Sequence, residues 1–215
     1  MGFYERHILP YFIRVAMQSR NLAAYRARVI AGAKGRVLEV GIGAGMNLAC
    51  YGPEVRELIG IDVSPKMLAM ARREAGRRSV PVTLMEASAE AIPCDSQSFD
   101  AVVTTWTLCS IDDPAAALHE MRRVLKPDGR LLFVEHGLAP EAGVRKWQDR
   151  LTPAWKHLAG GCHLNRPMRT LIENAGFKIE RLDTGYMRGT GPMTFMYEGC
   201  ARSEHPWFMD GAPGR

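Results

Sequence analysis

Short apolar runs alternate with amphipathic stretches along the middle of the chain. The runs that indicate strands cover residues 37–40, 58–61, 80–85, 101–105 and 131–135. Between them, helical patterns cover about 45–51, 65–78 and 113–125. Alternation of this kind predicts parallel strands joined by crossover helices that pack on both faces of one sheet.

Helical patterns also lie on either side of this region. Apolar residues from about 4 to 31 recur three or four positions apart, which predicts an amphipathic helix that is interrupted early by Pro10. The segment from about 141 to 175 has a helical pattern too, and Pro153 and the two glycines at 160–161 predict breaks in it.

Two further strand-like runs, 177–182 and 193–196, complete the predicted sheet. We therefore expect an α/β fold with a doubly wound, mostly parallel, seven-stranded sheet. The expected organisation is one domain over 1–205, with an N-terminal helical cap at 1–34, a helical lid that serves as the substrate segment at 137–175 after the fifth strand, and a tail at 206–215.

Composition narrows the class of protein. A length of 215 residues and a hydrophobic content of 47% fit one globular domain. The apolar runs are far shorter than the roughly 18 residues that a membrane span needs, and no secretory signal pattern is present, so we expect a cytoplasmic location. Five cysteines without a C-x-x-C pair predict reduced thiols rather than a disulfide framework or a zinc cage.

The net charge of +5 is modest, but basic residues are concentrated near the N-terminus. The first 36 residues hold seven Lys or Arg and a single acid, Glu5. This segment suits a helix packed on its own domain or one at a membrane surface, so peripheral membrane contact stays open. The total charge is not evidence for a clustered basic stripe, which argues against nucleic acid as a partner. The oligomeric state is not predicted.

The most specific motif is a glycine-rich turn directly after the first predicted strand. Gly41, Gly43 and Gly45 follow the acidic Glu39. Glycine suits a tight turn that a ligand approaches closely. A dinucleotide fingerprint would need its third glycine at position 46, which is Met46. Glu39 would also repel a pyrophosphate, whereas it suits a ligand that carries an amino group and a sulfonium.

Asp62 ends the second predicted strand, where an acid usually accepts hydrogen bonds from ribose hydroxyls. Together with the glycine turn, Asp62 predicts a site for an adenosine-type ligand. From about residue 36 to 200 the chain resembles the class I S-adenosylmethionine-dependent methyltransferases, and the segments 87–93, 98–102 and 125–131 carry the likeness further. The resemblance implies the Rossmann-like methyltransferase fold, S-adenosylmethionine as cofactor and S-adenosylhomocysteine as product.

The resemblance also implies which residues surround the cofactor. They are Glu39, Gly41, Gly43, Gly45, Asp62, Val63, Met67, Ala87, Ser88, Ala89, Glu90, Thr105 and Trp106. Many relatives carry an acid for the adenine amino group where this chain has Ser88. The adenine contact is therefore left open between Ser88, Glu90 and a backbone group.

Four further segments narrow the resemblance. Residues 107–110, 133–136, 153–158 and 160–166 resemble the small thiol methyltransferases of the methyltransferase-like family, and the stretch at 153–166 lies outside the shared cofactor core. Mammalian members of that family lie on endoplasmic-reticulum and lipid-droplet membranes and methylate alkyl thiols. The resemblance implies a small, apolar thiol as acceptor. Their apolar N-terminal anchor has no counterpart over residues 3–28, so membrane residence is not expected to carry over.

Methyl transfer is an in-line displacement on an activated carbon, so positioning is the main requirement and a base is needed only to form the nucleophile. The candidate bases are His136 and His163. Cys109, Trp155 and Cys162 are expected to line the substrate pocket. No metal site is expected, because the adjacent Cys162 and His163 point apart and no second ligand pair is evident nearby in sequence.

Other functions stay open. The Asn/Asp-Pro-Pro-aromatic stretch of nucleobase amino-methyltransferases is missing after the fourth strand. A lipid-like acceptor is the main alternative, either a quinone ring carbon or oxygen or a phospholipid amine, since the cofactor core resembles those enzymes almost equally. A protein that binds the cofactor without catalysis and acts through a partner is the other alternative.

Overall fold

The computed structural model describes residues 8–78, 80–187 and 194–204. Seven strands lie in one sheet: β1 (Gly35–Val40), β2 (Val55–Asp62), β3 (Val82–Glu86), β4 (Phe99–Thr105), β5 (Leu125–His136), β6 (Phe177–Tyr186) and β7 (Phe195–Ser203). Their order is β3-β2-β1-β4-β5-β7-β6. Strand β7 is antiparallel to both of its neighbours, and the other pairs are parallel. The predicted doubly wound, mostly parallel sheet is confirmed.

In the described part of the chain, six helices flank the sheet: α1 (Leu9–Ala16), α2 (Arg20–Ile30), α3 (Pro65–Ala75), α4 (Pro114–Val124), α5 (Ala142–Leu158) and α6 (Met168–Asn174). Local sequence determines where the crossover helices begin. The hydroxyl of Ser64 accepts a hydrogen bond from the N–H of Met67 at the start of α3. The carboxylate of Asp113 accepts from two N–H groups at the start of α4. Both helices begin with proline, which needs no donor there.

The N-terminal segment differs from its prediction. It forms two helices, α1 and α2, separated at residues 17–19, rather than one helix from about 4 to 31. Pro10 lies in the first turn of α1, a position that suits proline because the N–H groups of that turn have no partner within the helix. Residues 1–7 lie outside the described part of the chain.

The lid segment differs in one respect. Helix α5 continues through Pro153, although an interior proline removes one backbone hydrogen bond. The break at Gly160 and Gly161 is confirmed, and both glycines have left-handed φ angles of +63° and +85°. The predicted helix at 45–51 is a short 3-10 turn over Met46–Ala49. Part of the predicted strand at 193–196 and the tail at 206–215 fall outside the described residues.

The central strands are buried on both faces, which explains their unbroken apolar runs. In β5, Leu131 and Phe133 belong to one core cluster, and Leu132 and Val134 belong to the cluster on the other face. No helix among the described residues is long and apolar enough to cross a membrane. The carboxyl ends of the parallel strands meet at one edge of the sheet, where the candidate site lies.

The N-terminal helices are fixed to this scaffold at two places. In α2, the guanidinium of Arg28 donates to both carboxylate oxygens of Glu198 in β7, at 2.6–3.1 Å. Helix α1 lies against the turn that ends α5, because a Cβ on Gly160 would lie 3.0 Å from the side chain of Leu9. The cap and the lid are therefore in contact.

The ion pair of α2 predicts a measurable contribution to stability. Glu198 is 4% exposed, so Arg28→Ala leaves a buried carboxylate without its main partner. The free energy of unfolding should fall by about 2 kcal/mol, less than the roughly 3–5 kcal/mol of a fully buried pair, because Arg28 is half-exposed and Arg181 lies 3.9 Å from the same carboxylate. Urea denaturation measures this loss. Adding Glu198→Gln to Arg28→Ala should restore part of it, and a further loss would contradict the argument.

Candidate active site

The glycine turn after β1 has a backbone that favours glycine. Gly41 and Gly43 have φ angles of +71° and +55°. A Cβ on Gly41 would lie 2.3 Å from Oγ1 of Thr107, so no larger residue fits. A Cβ on Gly43 would have no atom nearer than 4.0 Å, so this backbone faces open space that a ligand can approach. Gly45 instead packs on α3, since its added Cβ would lie 3.1 Å from Ala71.

Asp62, at the end of β2, connects the turn to the next helix. One carboxylate oxygen accepts from the N–H of Gly43 at 2.9 Å, and the other accepts from the N–H of Ser64 at 2.8 Å. Burial raises the pKa of Asp62. Each oxygen retains a second lone pair, so hydroxyl donors can still bind. Next to it, Val63 is 53% exposed and Met67 is buried in α3.

Glu39 is 1% exposed and lies under the same turn. Its carboxylate accepts from Nδ2 of Asn47 and from the hydroxyl of Tyr51, both at 2.8 Å. Asn47 also donates to the hydroxyl of Thr105 at 3.0 Å. Burial outweighs these hydrogen bonds and raises the pKa of Glu39 to about 7. A cation next to this carboxylate would favour its ionised form.

A buried cation lies beside this carboxylate. The guanidinium of Arg26, in α2, lies 5.0 Å from the centre of the Trp106 ring and favours the ionised form of Glu39. Trp106 follows β4 with a φ of +50°, which is unusual for a bulky residue, and Tyr25 contacts its ring edge-on at 6.4 Å between centroids. Helix α2 thus forms one side of the site.

Sequence reasoning missed Arg26, Asn47 and Tyr51 as parts of the site. Arg26 could have been found, because it lies at helical spacing from Leu22 and Val29 on the buried face of α2. An arginine on the apolar face of an amphipathic helix indicates a buried partner. Asn47 and Tyr51 carry no comparable signal in the sequence.

The loop after β3, where the resemblance implied the adenine, is held by its own side chains. The hydroxyl of Ser88 accepts from the N–H of Glu90 at 3.1 Å. The carboxylate of Glu90 accepts from the N–H of Asp113 at 2.9 Å, which ties the loop to the start of α4. Ala87 is partly buried and Ala89 is buried. Both polar residues therefore shape the loop.

A second cluster lies where β4, β5 and the lid meet. Nε2 of His136, the last residue of β5, lies 3.0 Å from the sulfur of Cys162. The indole N–H of Trp155 donates to the same sulfur at 3.2 Å. The ligand atoms of Cys109, His136 and Cys162 all lie within 4.8 Å of one another. Four of the five predicted catalytic and substrate residues are thus brought together.

The fifth residue, His163, has a different environment. Its Nδ1 lies 3.2 Å from the guanidinium of Arg166, a buried residue that sequence reasoning missed. Arg166 also donates to the carbonyl of Leu108. The backbone N–H of His163 donates to the carbonyl of Cys109 at 2.8 Å, which joins the lid to the loop after β4. His163 is therefore held beside the cluster by Arg166.

Glu135 connects the two parts of the site. It is fully buried, and one of its oxygens accepts from the hydroxyl of Thr104 and from the N–H groups of Thr107 and Leu108, at 3.0–3.1 Å. Burial raises the pKa of Glu135. These bonds hold the loop that carries Trp106 toward the glycine turn and leads into the cysteine cluster. In the sequence, the one indication of this role of Glu135 is an acidic residue within an otherwise apolar strand.

Comparison with known proteins identifies the family to which the chain belongs. The methyltransferase domain family matches residues 38–133. The chain is similar to thiol S-methyltransferase TMT1B of Rattus norvegicus, with 34% identity over 151 residues that cover 68% of this chain and 62% of that protein. It is also similar to human thiol S-methyltransferase TMT1A, with 33% identity over 84% of this chain and 75% of that protein. The chain thus spans under two thirds of the rat relative that it matches.

Two other similarities bear on the fold and the acceptor. A ubiquinone/menaquinone biosynthesis C-methyltransferase, UbiE of Syntrophotalea carbinolica, is 36% identical over 54% of this chain and 49% of that protein. Among solved structures, YcgJ of Bacillus subtilis superimposes with a TM-score of 0.64 and 25% identity, covering 76% of this chain and 73% of that one. The chain belongs to the class I S-adenosylmethionine-dependent methyltransferases and resembles their small thiol methyltransferases.

Proposed function

We propose that this protein transfers the methyl group of S-adenosylmethionine to a small, apolar thiol. One observation carries the proposal: the lid places Trp155 and Cys162 next to His136, close to the loop that also borders the glycine turn. The lid lies outside the shared cofactor core, and its sequence is the part that resembles thiol methyltransferases. The rat and human relatives that the chain matches are themselves named thiol S-methyltransferases.

The glycine turn fits the amino-acid end of the donor. Glu39 offers a buried carboxylate, and Oδ1 of Asn47 is buried without a hydrogen-bond partner among the described residues. An ammonium group would supply a donor for both of these acceptors. The open space at Gly43 gives the backbone of the ligand room to approach.

Asp62 suits the ribose, because its carboxylate retains lone pairs for two hydroxyl donors. Trp106, with Arg26 behind it, suits a position beside the sulfonium, where an aromatic ring face favours positive charge. The adenine would then lie toward the loop at 87–90. The donor would span the carboxyl ends of β1 and β2, which is where ligands bind in open α/β sheets.

The acceptor must approach the methyl group in line and lose its proton. A free thiol has a pKa of about 8.5, so a modest lowering of that pKa by its surroundings suffices to ionise it at neutral pH. His163 is poorly suited as the base, because Arg166 has only donors and therefore occupies the lone pair on Nδ1. His136, next to Cys162, is the better candidate. Trp155 is 40% exposed and offers apolar surface for a small substrate.

The first test is formation of S-adenosylhomocysteine by the purified protein with three kinds of acceptor. The panel contains small alkyl and aryl thiols, a demethylated quinone, and phosphatidylethanolamine vesicles. We expect turnover on the thiols alone, and slower turnover by Asp62→Ala when the donor is limiting. Turnover on the quinone or the vesicles alone would contradict the thiol proposal and favour the lipid-like acceptor that the similarity to UbiE suggests. Tight donor binding without turnover on any acceptor would favour a non-catalytic role.

A second prediction concerns donor affinity. Asp62→Ala should weaken S-adenosylmethionine binding by about tenfold to a hundredfold, because it removes a carboxylate that accepts from the turn and is expected to accept from the ribose. Calorimetry measures the dissociation constant. Asp183→Ala, at an exposed position in β6, is the matched control and should leave the affinity unchanged. Equal affinities of the two variants would contradict the placement of the donor.

A third prediction uses the raised pKa of Glu39. The cationic amino group binds the carboxylate form, so below about pH 7 donor binding must release a proton from Glu39. Affinity should therefore rise by about an order of magnitude from pH 6 to pH 7.5. Glu39→Gln should bind more weakly at pH 7.5 and lose this dependence. A Gln variant with the wild-type pH profile would contradict the assignment of Glu39 to the amino group.

A further inference from the structure

Three metal-ligating side chains from three separate elements converge at one point. Cys109 follows β4, His136 ends β5, and Cys162 follows the break after α5. Their sulfur and ring-nitrogen atoms lie within 4.8 Å of one another. Two thiols and an imidazole form the donor set of catalytic zinc sites that keep one position open. No pair of these residues is close in sequence, which is why sequence reasoning predicted no metal.

The spacing suits a tetrahedral ion. Bond lengths to zinc of about 2.3 Å for sulfur and about 2.0 Å for nitrogen place ligand atoms roughly 3.5–3.8 Å apart. The nitrogen of His136 is already 3.0 Å from the sulfur of Cys162. Cys109 and Cys162 are 2% and 8% exposed, so protein surrounds most of the position. Only small shifts are needed to admit the ion.

The surroundings also suit a metal thiolate. The indole N–H of Trp155 points at the sulfur of Cys162, and such donors stabilise thiolate ligands. The hydrogen bond from His163 to the carbonyl of Cys109 keeps the two cysteine-bearing loops together. The buried guanidinium of Arg166 contacts the carbonyl of Leu108, next to Cys109, and places a positive charge beside the cluster.

We propose that Cys109, His136 and Cys162 bind a zinc ion whose fourth position takes the sulfur of the acceptor thiol. This inference rests on the proposed thiol methyltransferase activity and names the group that activates the thiol. Zinc with two thiolates and a neutral imidazole carries no net charge. The acceptor thiolate adds one negative charge, which Arg166 offsets. In this arrangement His136 is a ligand and no separate base is needed.

Zinc binding and methyl transfer require no reactant besides the acceptor thiol and S-adenosylmethionine. Zinc displaces the protons of the two cysteine thiols, and the acceptor thiol replaces bound water and releases its own proton to solvent. The zinc-bound sulfur then attacks the methyl carbon and forms a new S–C bond. The bond from that carbon to the sulfonium breaks, and its electron pair remains on the sulfur of S-adenosylhomocysteine. The neutral thioether product is a weaker ligand than a thiolate and dissociates.

Cobalt binding to the full chain tests the metal site directly. Metal-free, reduced protein is titrated with Co²⁺, and we expect one tetrahedral ion per chain with sulfur-to-cobalt charge-transfer absorption. Cys109→Ser, His136→Gln and Cys162→Ser should each abolish or alter this spectrum. Cys94→Ser, which removes a cysteine outside the cluster, is the matched control and should leave it unchanged. Identical spectra for Cys94→Ser and Cys162→Ser would overturn the proposal.

A second measurement avoids variants that fail to fold. The rate of thiol alkylation of the unmodified, reduced protein is read by peptide mass spectrometry with and without zinc. Zinc should lower this rate at Cys109 and Cys162, beyond the protection that burial already gives, but not at Cys50, Cys94 or Cys200. Equal protection of all five cysteines by zinc, or no effect of zinc on any of them, would overturn the proposed site. A disulfide between Cys109 and Cys162 in protein prepared without oxygen would also overturn it, and would identify the pair as redox-active instead.

Activity separates this inference from the proposed function. Zinc should raise thiol methylation by the metal-free protein by about tenfold or more, without a comparable change in donor affinity. Equal thiol turnover with and without zinc would overturn the activating role of the metal and leave the proposed function intact. Metal binding at the three residues with no turnover on any thiol would overturn the proposed function and leave only the metal site.

Discussion

The buried carboxylate of Glu135 holds the loop after β4, and both parts of the candidate site depend on that loop. Its hydrogen bonds to Thr104, Thr107 and Leu108 set the position of a segment that turns sharply at Trp106. In the proposed arrangement, the segment presents Trp106 to the donor and leads into Cys109 on the acceptor side. Because methyl transfer requires three atoms in line, a displacement of this loop by an ångström would misalign the two substrates.

The N-terminal helix acts as part of the site rather than as an appendage. Arg28 ties α2 to the sheet through Glu198, and Arg26 extends from the same helix toward Trp106 and Glu39. Helix α1 continues from there to the turn of the lid at Gly160. The turn after α5 is thus in contact with the N-terminal helices, one of which borders the glycine turn.

Local patterns were sufficient to predict the sheet, the crossover helices and the glycine turn, since each depends on residues near in sequence. The unbroken apolar run of β5 and the caps at Ser64 and Asp113 are examples. Patterns failed where tertiary packing overrides propensity, as at Pro153, and where a contact joins distant segments. The cluster of Cys109, His136 and Cys162 is of the second kind, because only the strand order brings the ends of β4 and β5 together under the lid.

The charge balance of the site explains why a donor with two cationic groups suits it. Glu39, Asp62 and Glu135 are carboxylates whose pKa values are all raised by burial, and they share the region with two buried cations, Arg26 and Arg166. Without ligand, burial disfavours the ionised form of Glu39, and a positive charge on a bound ligand would stabilise that form. The ammonium and the sulfonium of the donor both interact favourably with these carboxylates, whereas the product has lost the sulfonium charge. The same imbalance that destabilises the empty site therefore favours the donor over its product.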